Sequence, residues 1–164
     1  MNRYVIGIDP DCEKSGYGVV NVETREVVAL GACDFPTLLD VMDVWRRGEK
    51  VSVYIEGGWL NQGNWHLMGR MTAARAAAIG RSVGRNHQTG MLIEQMARRQ
   101  GYDVRVVKPL RKCWTGKDGK ITAEELEMVT GYHGRSCQDA RDAALLAWVY
   151  AGLPVRVRAR ASPR

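Results

Sequence analysis

The sequence has 164 residues, with 24 Lys or Arg against 18 Asp or Glu, so its formal net charge is +6. At about 150 residues per domain, this length predicts one domain with a short tail and excludes a large two-lobed protein. The 45% apolar and 26% charged fractions exclude a disordered or fibrous chain, and no apolar run approaches the roughly 18 residues that a membrane helix requires.

Nine segments are predicted to form regular structure. Apolar or β-branched runs predict five strands, over residues 4–9, 16–22, 26–31, 51–56 and 102–107. Helical spacing of apolar residues predicts four helices, over residues 36–47, 67–100, 122–129 and 136–151. A break is expected in the second helix near Gly80 or Gly90, and Thr122 with Glu125 forms a capping box at the start of the third.

The order of these elements predicts an α/β fold. A meander of three strands followed by βαβ units gives a mixed five-stranded sheet with helices on both faces. The simplest strand order is 3-2-1-4-5, with strand 2 antiparallel to its neighbours. We expect one domain over residues 1–154 and a basic tail over residues 155–164, in which four Arg occur without an acid. This tail could be a short edge strand or a disordered arm, and it could bind nucleic acid or only solubilise the chain.

The N-terminus and the cysteines favour a cytoplasmic protein. A carboxylate at Asp9 excludes a secretory signal peptide. The four cysteines contain no C-x-x-C pair and no His lies at zinc-finger spacing, so we expect neither a disulfide framework nor a structural zinc.

Charge is strongly segregated along the chain. Residues 1–56 carry a net charge of −4, residues 57–120 a net charge of +9, and residues 121–154 a net charge of −3. The central segment is therefore the expected surface for a polyanion such as DNA. Its candidate contact residues are Arg70, Arg75, Arg81, Arg85, Lys112, Lys117 and Lys120.

Two carboxylates end neighbouring strands. Asp9 ends the first strand and Glu56 ends the fourth, and the predicted order places those strands side by side where the strand order reverses. Ligands of open α/β sheets bind at this point, beyond the carboxyl ends of the strands. Each acid could instead cap its strand in solvent; two acids so close together would raise each other's pKa unless a cation lay between them.

The last predicted helix adds a second pair of acids. Asp139 and Asp142 are three residues apart and share one helix face. Asp139 could instead stabilise the first helical turn through the helix dipole. The same explanation suits Asp142 less well, because Asp142 lies one turn further into the helix. Four converging carboxylates would hold two Mg²⁺ ions about 4 Å apart, an arrangement suited to displacement at phosphorus.

Three motifs resemble the RuvC-type Holliday junction resolvases of the RNase H-like superfamily. VIGIDPDCEKSGYGVV resembles their first two strands, VSVYIEGGW the strand of their second acid, and CQDARDAALLAW their final helix. Asp11 departs from the glycine that usually follows Asp-Pro in the family, and the match over residues 57–100 is loose.

The resemblance implies a metal-dependent nuclease with an RNase H-like fold. Asp9, Glu56, Asp139 and Asp142 would be the catalytic, metal-binding acids, with two Mg²⁺ per site and Mn²⁺ as a substitute. The family acts as a homodimer that nicks a four-way DNA junction symmetrically, leaving 5′-phosphate and 3′-hydroxyl ends, and we expect the dimer surface within residues 68–100. In the family, an aromatic residue three positions after the second acid enters the junction.

That aromatic position is Trp59 here. Trp65 is an alternative for the same role, and Trp59 could instead pack its loop onto the core. Lys117 and Lys120 match a lysine-bearing loop of the family, where they would contact the scissile phosphate or position water, or form only a solvated turn. For His66, His87 and His133 a surface or structural role is expected.

Three alternatives to a junction resolvase remain at this point. The chain could be an RNase H-like nuclease for flaps, forks or RNA–DNA hybrids. It could be an inactive nucleic-acid-binding module, against which the four acids argue. An ATPase domain would need further phosphate loops and a second lobe, for which the chain is too short.

Overall fold

The computed structural model describes residues 3–61 and 71–155. Its five strands are β1 (Tyr4–Asp9), β2 (Ser15–Asn21), β3 (Glu26–Cys33), β4 (Val51–Glu56) and β5 (Asp103–Val107). Its four helices are α1 (Phe35–Arg46), α2 (Ala73–Arg99), α3 (Ala123–Thr130) and α4 (Gln138–Tyr150). Within these ranges, none of the helices combines the length and apolar character that crossing a bilayer requires.

The five strands form one mixed sheet in the order β3-β2-β1-β4-β5. The strand β2 runs antiparallel to β1 and β3, whereas β1, β4 and β5 run parallel. The predicted order and directions are confirmed. Because Ile8 is the register partner of Ile55, the next residues, Asp9 and Glu56, end their strands side by side.

Helices cover both faces of the sheet, as predicted. Alternate residues of a strand point to opposite faces. Ile6 and Ile8 belong to the core cluster that contains α1 and α2 side chains, whereas Val5 packs with Ala147 and Trp148 of α4. Both clusters are closed to solvent, so the sheet is a buried layer between two helical layers.

The helix α2 differs from the sequence prediction. Residues 67–70 lie outside the described residues, and the helix begins at Ala73, after Thr72, whose side chain accepts a hydrogen bond from the Arg75 amide. The predicted break is wrong, because α2 continues through both Gly80 and Gly90 to Arg99. Alanines precede Gly80 and favour the helix, and Gly90 is buried where a larger side chain would not fit.

The start of α3 agrees with its predicted capping box. The Thr122 hydroxyl accepts from the Glu125 amide, and the Glu125 carboxylate accepts from the Thr122 amide. Glu125 also accepts from the Thr115 amide at 2.9 Å, so this buried carboxylate joins α3 to the preceding loop.

Three glycines let α4 lie directly on the sheet. A Cβ on Gly7 would lie 2.2 Å from the carbonyl oxygen of Ala143, and one on Gly18 would lie 2.3 Å from the Cα of Ala144. A Cβ on Gly16 would lie 2.1 Å from the carbonyl oxygen of Asp139. Any side chain at these positions would push α4 away from β1 and β2.

We expect Gly18→Ala to destabilise the protein by roughly 1–3 kcal/mol, because the added methyl group overpacks the contact with α4. Urea unfolding of the purified protein measures this. Gly84→Ala is the control, since nothing lies within 4 Å of that position in α2 and alanine favours a helix interior by roughly 0.5–1 kcal/mol. Equal stability of the two variants would contradict the close packing of α4.

Candidate metal centre and nucleic-acid interface

The alternation of side chains directs Asp9 and Glu56 to the same face of the sheet. Asp9 shares its face with Gly7, which lies under α4. Glu56 shares its face with Tyr54, whose ring stacks on Tyr150 of α4 at a centroid distance of 4.5 Å. Both strand-end acids therefore point towards α4, which carries the other two.

Three of the four predicted acids form a compact group. One carboxylate oxygen from each of Asp9, Asp139 and Asp142 lies within 4.8 Å of the others. Glu56 is outside this tight group, but it lines the same cavity as Asp9 and Asp142. The close contact between Asp139 and Gly16 explains the group, because Gly16 is the register partner of Asp9.

Among the four acids, Asp9 has the most strongly raised pKa. Burial raises its pKa to about 8, and the neighbouring carboxylates of Glu56 and Asp142 add to the rise. Burial also raises the pKa of Glu56, with a contribution from Asp142, and it raises the pKa of Asp139. The site thus holds more negative charge than its protein cations balance.

Lys120 and Gln138 hold the two oxygens of Asp142. The Lys120 ammonium lies 3.3 Å from Asp142 Oδ2, and Gln138 Nε2 donates to Asp142 Oδ1 at 2.8 Å. Burial lowers the pKa of Lys120, but the attraction of Asp142 outweighs it and the pKa is raised. Lys120 is therefore a fixed cation of the site, closer to the acids than a solvated turn would be.

A hydrogen bond from Arg141 fixes the orientation of the Gln138 amide. Its Oε1 accepts from Nη2 of Arg141 at 2.9 Å, so its Nε2 faces Asp142 and the Ile121 carbonyl oxygen. Arg141 also donates to the Ile121 carbonyl at 3.2 Å and to the Ser136 carbonyl at 2.9 Å. This network joins the start of α4 to the segment that carries Lys120.

Asp11, the departure from the family pattern, has a local role. Its Oδ1 accepts from the Glu13 amide at 2.8 Å, and its Oδ2 accepts from the Asn86 side chain at 3.2 Å. Asn86 in turn accepts from the Cys12 amide at 2.9 Å. These bonds attach the loop after β1 to the middle of α2.

Trp59 packs against α2 and lines a second cavity together with Asp9, Glu56 and Lys112. A Cβ on Gly90 would lie 2.5 Å from its indole ring and 3.1 Å from Pro10. Its ring also meets His87 edge-on at a centroid distance of 5.9 Å. This position corresponds to the interpretation in which Trp59 packs its loop onto the core. Trp65 and His66 lie outside the described residues.

The basic residues fall into two sets. Lys112 and Lys120 line the cavity beside Asp9 and Glu56, and Lys117 is exposed in the adjoining 3-10 turn. Arg75, Arg81 and Arg85 are exposed along the N-terminal half of α2. Arg70 lies outside the described residues.

The residues present fit a divalent cation. All four acids offer hard oxygen ligands, which suit Mg²⁺ or Mn²⁺. The raised pKa of Asp9 marks negative charge that a divalent cation would compensate. Asp9, Asp139 and Asp142 are close enough to share one ion, and Glu56 is placed to contribute from the adjacent strand.

The fold has known relatives among solved structures. No protein-family model and no curated protein matches the sequence. Thermus thermophilus RuvC, solved in complex with a Holliday junction substrate, matches with a TM-score of 0.55 over 90% of this chain and 92% of that one, at 18% identity. A further Thermus thermophilus RuvC structure matches with the same TM-score and identity, covering 90% of this chain and 93% of that one.

The chain has the RuvC fold. The likeness extends over nearly the whole of both chains, so the resemblance seen in the three sequence motifs is confirmed as a likeness of fold. At 18% identity it carries no residue roles, and those are argued below from the geometry of the site.

Sequence reasoning missed Gln138 and its partner Arg141. The signal was present in the spacing, since residues four apart on a helix are neighbours and Gln138 precedes Asp142 by four. This spacing alone does not identify the role of Gln138. Gln138 and Arg141 are held in place by hydrogen bonds to the carbonyl of Ile121, which is distant in sequence.

We expect Mg²⁺ to stabilise the protein more at about pH 8.5 than at about pH 5.5. Between the ordinary value of 3.8 and about 8, folded Asp9 keeps a proton that the unfolded chain has lost. Without metal, stability therefore falls as pH rises through this window. A cation must displace that proton, so it binds better at high pH.

Thermal unfolding with Mg²⁺ or with a chelator, at both pH values, tests this expectation. Asp9→Asn should abolish both the metal-induced rise in Tm and its pH dependence. An equal rise at both pH values would show that Asp9 does not take part in binding the ion.

We expect Gln138→Met to weaken Mn²⁺ binding by about 10–100-fold, the usual cost of losing a hydrogen bond to a metal ligand. Calorimetric titration measures the affinity. Ser136→Ala is the matched control, because it removes only a 3.3 Å contact to Arg141 and leaves the Ser136 carbonyl in place. Unchanged affinity in Gln138→Met would mean that Asp142 needs no support from Gln138.

Proposed function

We propose that this protein is a divalent-metal-dependent endonuclease that cuts branched DNA, most directly a four-way junction. The observation that carries the proposal is the convergence of Asp9, Asp139 and Asp142 at the carboxyl end of β1. It is supported by Glu56 on the neighbouring strand and by a fold shared with a RuvC solved on a Holliday junction.

The proposed reaction is hydrolysis of a phosphodiester bond. Asp9, Glu56, Asp139 and Asp142 would hold two Mg²⁺ ions, or Mn²⁺ in their place. Such ions activate water and stabilise the leaving oxygen. The water oxygen bonds to phosphorus as the bond to the 3′ oxygen breaks, which leaves a 5′-phosphate and a 3′-hydroxyl.

The protein's own groups orient the reacting site. Gln138 and Lys120 fix the Asp142 carboxylate from two directions, so that its lone pairs are preorganised. Lys112 lines the same cavity, and its charge lowers the pKa of Glu56, which burial raises. We assign it a contact with the phosphate that is cut.

DNA binding is assigned to the central basic segment. The exposed Arg75, Arg81 and Arg85 extend the positive surface along α2, and Lys117 extends it beyond the cavity. Contacts to phosphates release counterions, so binding should weaken steeply with salt. Arg70 and Trp59 remain in this assignment as sequence-based proposals, Trp59 through the loop that it anchors.

A four-way junction has two strands to cut symmetrically. We therefore propose a homodimer in the cytoplasm, in which each copy supplies one set of acids. Paired nicks would then restore two duplexes that need only ligation.

Cleavage of synthetic DNA tests the function. We expect a four-way junction to be cut with Mg²⁺ and not with a chelator, and Asp9→Asn to reduce cleavage by at least about 100-fold, more than a supporting residue would, while junction binding persists. Asp40→Asn, an exposed carboxylate on α1 across the sheet, is the matched control and should cut normally.

The other substrates separate the alternatives. Symmetric paired nicks on the junction, without cutting of flaps or linear duplex, identify a resolvase. Cutting of flaps, forks or RNA–DNA hybrids identifies a more general nuclease. Binding without nicking under any divalent ion would overturn the proposal in favour of a binding module.

A further inference from the structure

A second feature of the catalytic cavity is its apolar wall. The cavity is bounded by the ends of β1 and β4, by the segment 109–121 and by α4, and it has a volume of about 120 Å³. Leu110, Trp114, Ile121 and Leu145 line it together with the acids. We call this space the Trp114 cavity.

The wall is a fixed part of the structure. Ile121 is 1% exposed and Leu145 is 5% exposed, and Trp114 packs against the core cluster that contains them. The apolar surface is therefore continuous with the core and lies within the same cavity as Asp9 and Glu56.

The loop that carries Trp114 is preorganised. The Trp114 amide donates to the Gly119 carbonyl at 3.1 Å, and the Gly116 amide donates to the Lys120 carbonyl at 3.0 Å. The neighbouring Thr115 amide donates to the buried Glu125. Gly119 has a φ of +73°, which closes the turn that returns the chain to Lys120.

Hydrolysis of a phosphodiester bond does not by itself require an apolar surface in the cavity. Hydrolysis needs ligands for cations, a water and positive charge, all of which the acids, Lys112 and Lys120 supply. An apolar surface next to them suits a ligand that is anionic at one end and flat and apolar at the other, as a nucleotide is. At about 120 Å³ the Trp114 cavity is somewhat smaller than the roughly 150 Å³ cavity that binds benzene, so it takes at most part of one base and not a stacked pair.

We propose that the Trp114 cavity binds the nucleoside next to the phosphate that is cut. This inference rests on the proposed nuclease function and specifies how the same site holds its substrate. The indole of Trp114 contacts the base, and Lys112 and Lys120 contact the phosphate that is cut, which lies over Asp9 and Glu56. Seating one nucleoside beside the acids sets which phosphate reaches them.

Junctions with one abasic nucleotide test the proposal. We compare an abasic site immediately 5′ of the cut, one immediately 3′ of it and one several nucleotides away, in single-turnover cleavage with Mg²⁺. One of the two adjacent substitutions should raise the half-saturating enzyme concentration by about 5- to 100-fold, the range for loss of base–aromatic stacking. The distant one should have no effect.

The same substrates with Trp114 variants complete a double-mutant cycle. In Trp114→Ala the penalty for the adjacent abasic site should disappear, whereas Trp114→Phe should retain most of it. Trp148→Phe is the control, because that indole packs on the far part of α4, with Val5 and Val20. Equal penalties in wild type and Trp114→Ala would overturn the assignment of Trp114.

The outcomes separate this inference from the proposed function. If wild type does not cut an intact junction, the nuclease proposal fails. If it cuts and neither adjacent abasic site carries a penalty, only the nucleoside site fails. That second arm uses the wild-type protein alone, so it decides the matter even where Trp114→Ala does not fold.

Discussion

The close approach of the α4 backbone to the glycines of β1 and β2 is the contact on which the site depends. With hydrogen atoms alone at Gly7, Gly16 and Gly18, a helix carrying Asp139 and Asp142 lies against the sheet at backbone distance. Helix and sheet surfaces otherwise meet through side chains, which would hold the acids of α4 too far from Asp9 to share an ion. The glycines therefore position the acids of α4 relative to Asp9, although they carry no carboxylate themselves.

The same contact brings carboxylates close together, and their mutual repulsion is partly offset by neighbouring groups. Parallel pairing of β1 and β4 in register brings two acids together, and α4 adds two more. Lys120 offsets part of this charge through Asp142. Burial and the remaining negative charge together raise the pKa of Asp9 to about 8, so an ionised Asp9 carries a free-energy cost that a proton or a cation would relieve. Raised pKa values of clustered carboxylates of this kind are characteristic of functional centres.

The sheet and its acids could be predicted from sequence because each follows from local pattern. Apolar runs located the strands, the meander followed by βαβ units determined their order, and strand ends placed Asp9 and Glu56 together. The prediction failed where tertiary contacts override local signals: Gly80 and Gly90 do not interrupt α2, and Gly90 instead accommodates the ring of Trp59. Gln138 was invisible for the same reason, since its role depends on a carbonyl that arrives from another segment.

The bonds from Asn86 to Asp11 and Cys12 give α2 a mechanical role. The C-terminal half of this helix is anchored in the core through Ile93 and Ala97, while its N-terminal half is exposed. Asn86 lies between these two halves and connects the helix to the loop after β1. These hydrogen bonds link the position of the exposed half of α2 to the loop that begins two residues after Asp9.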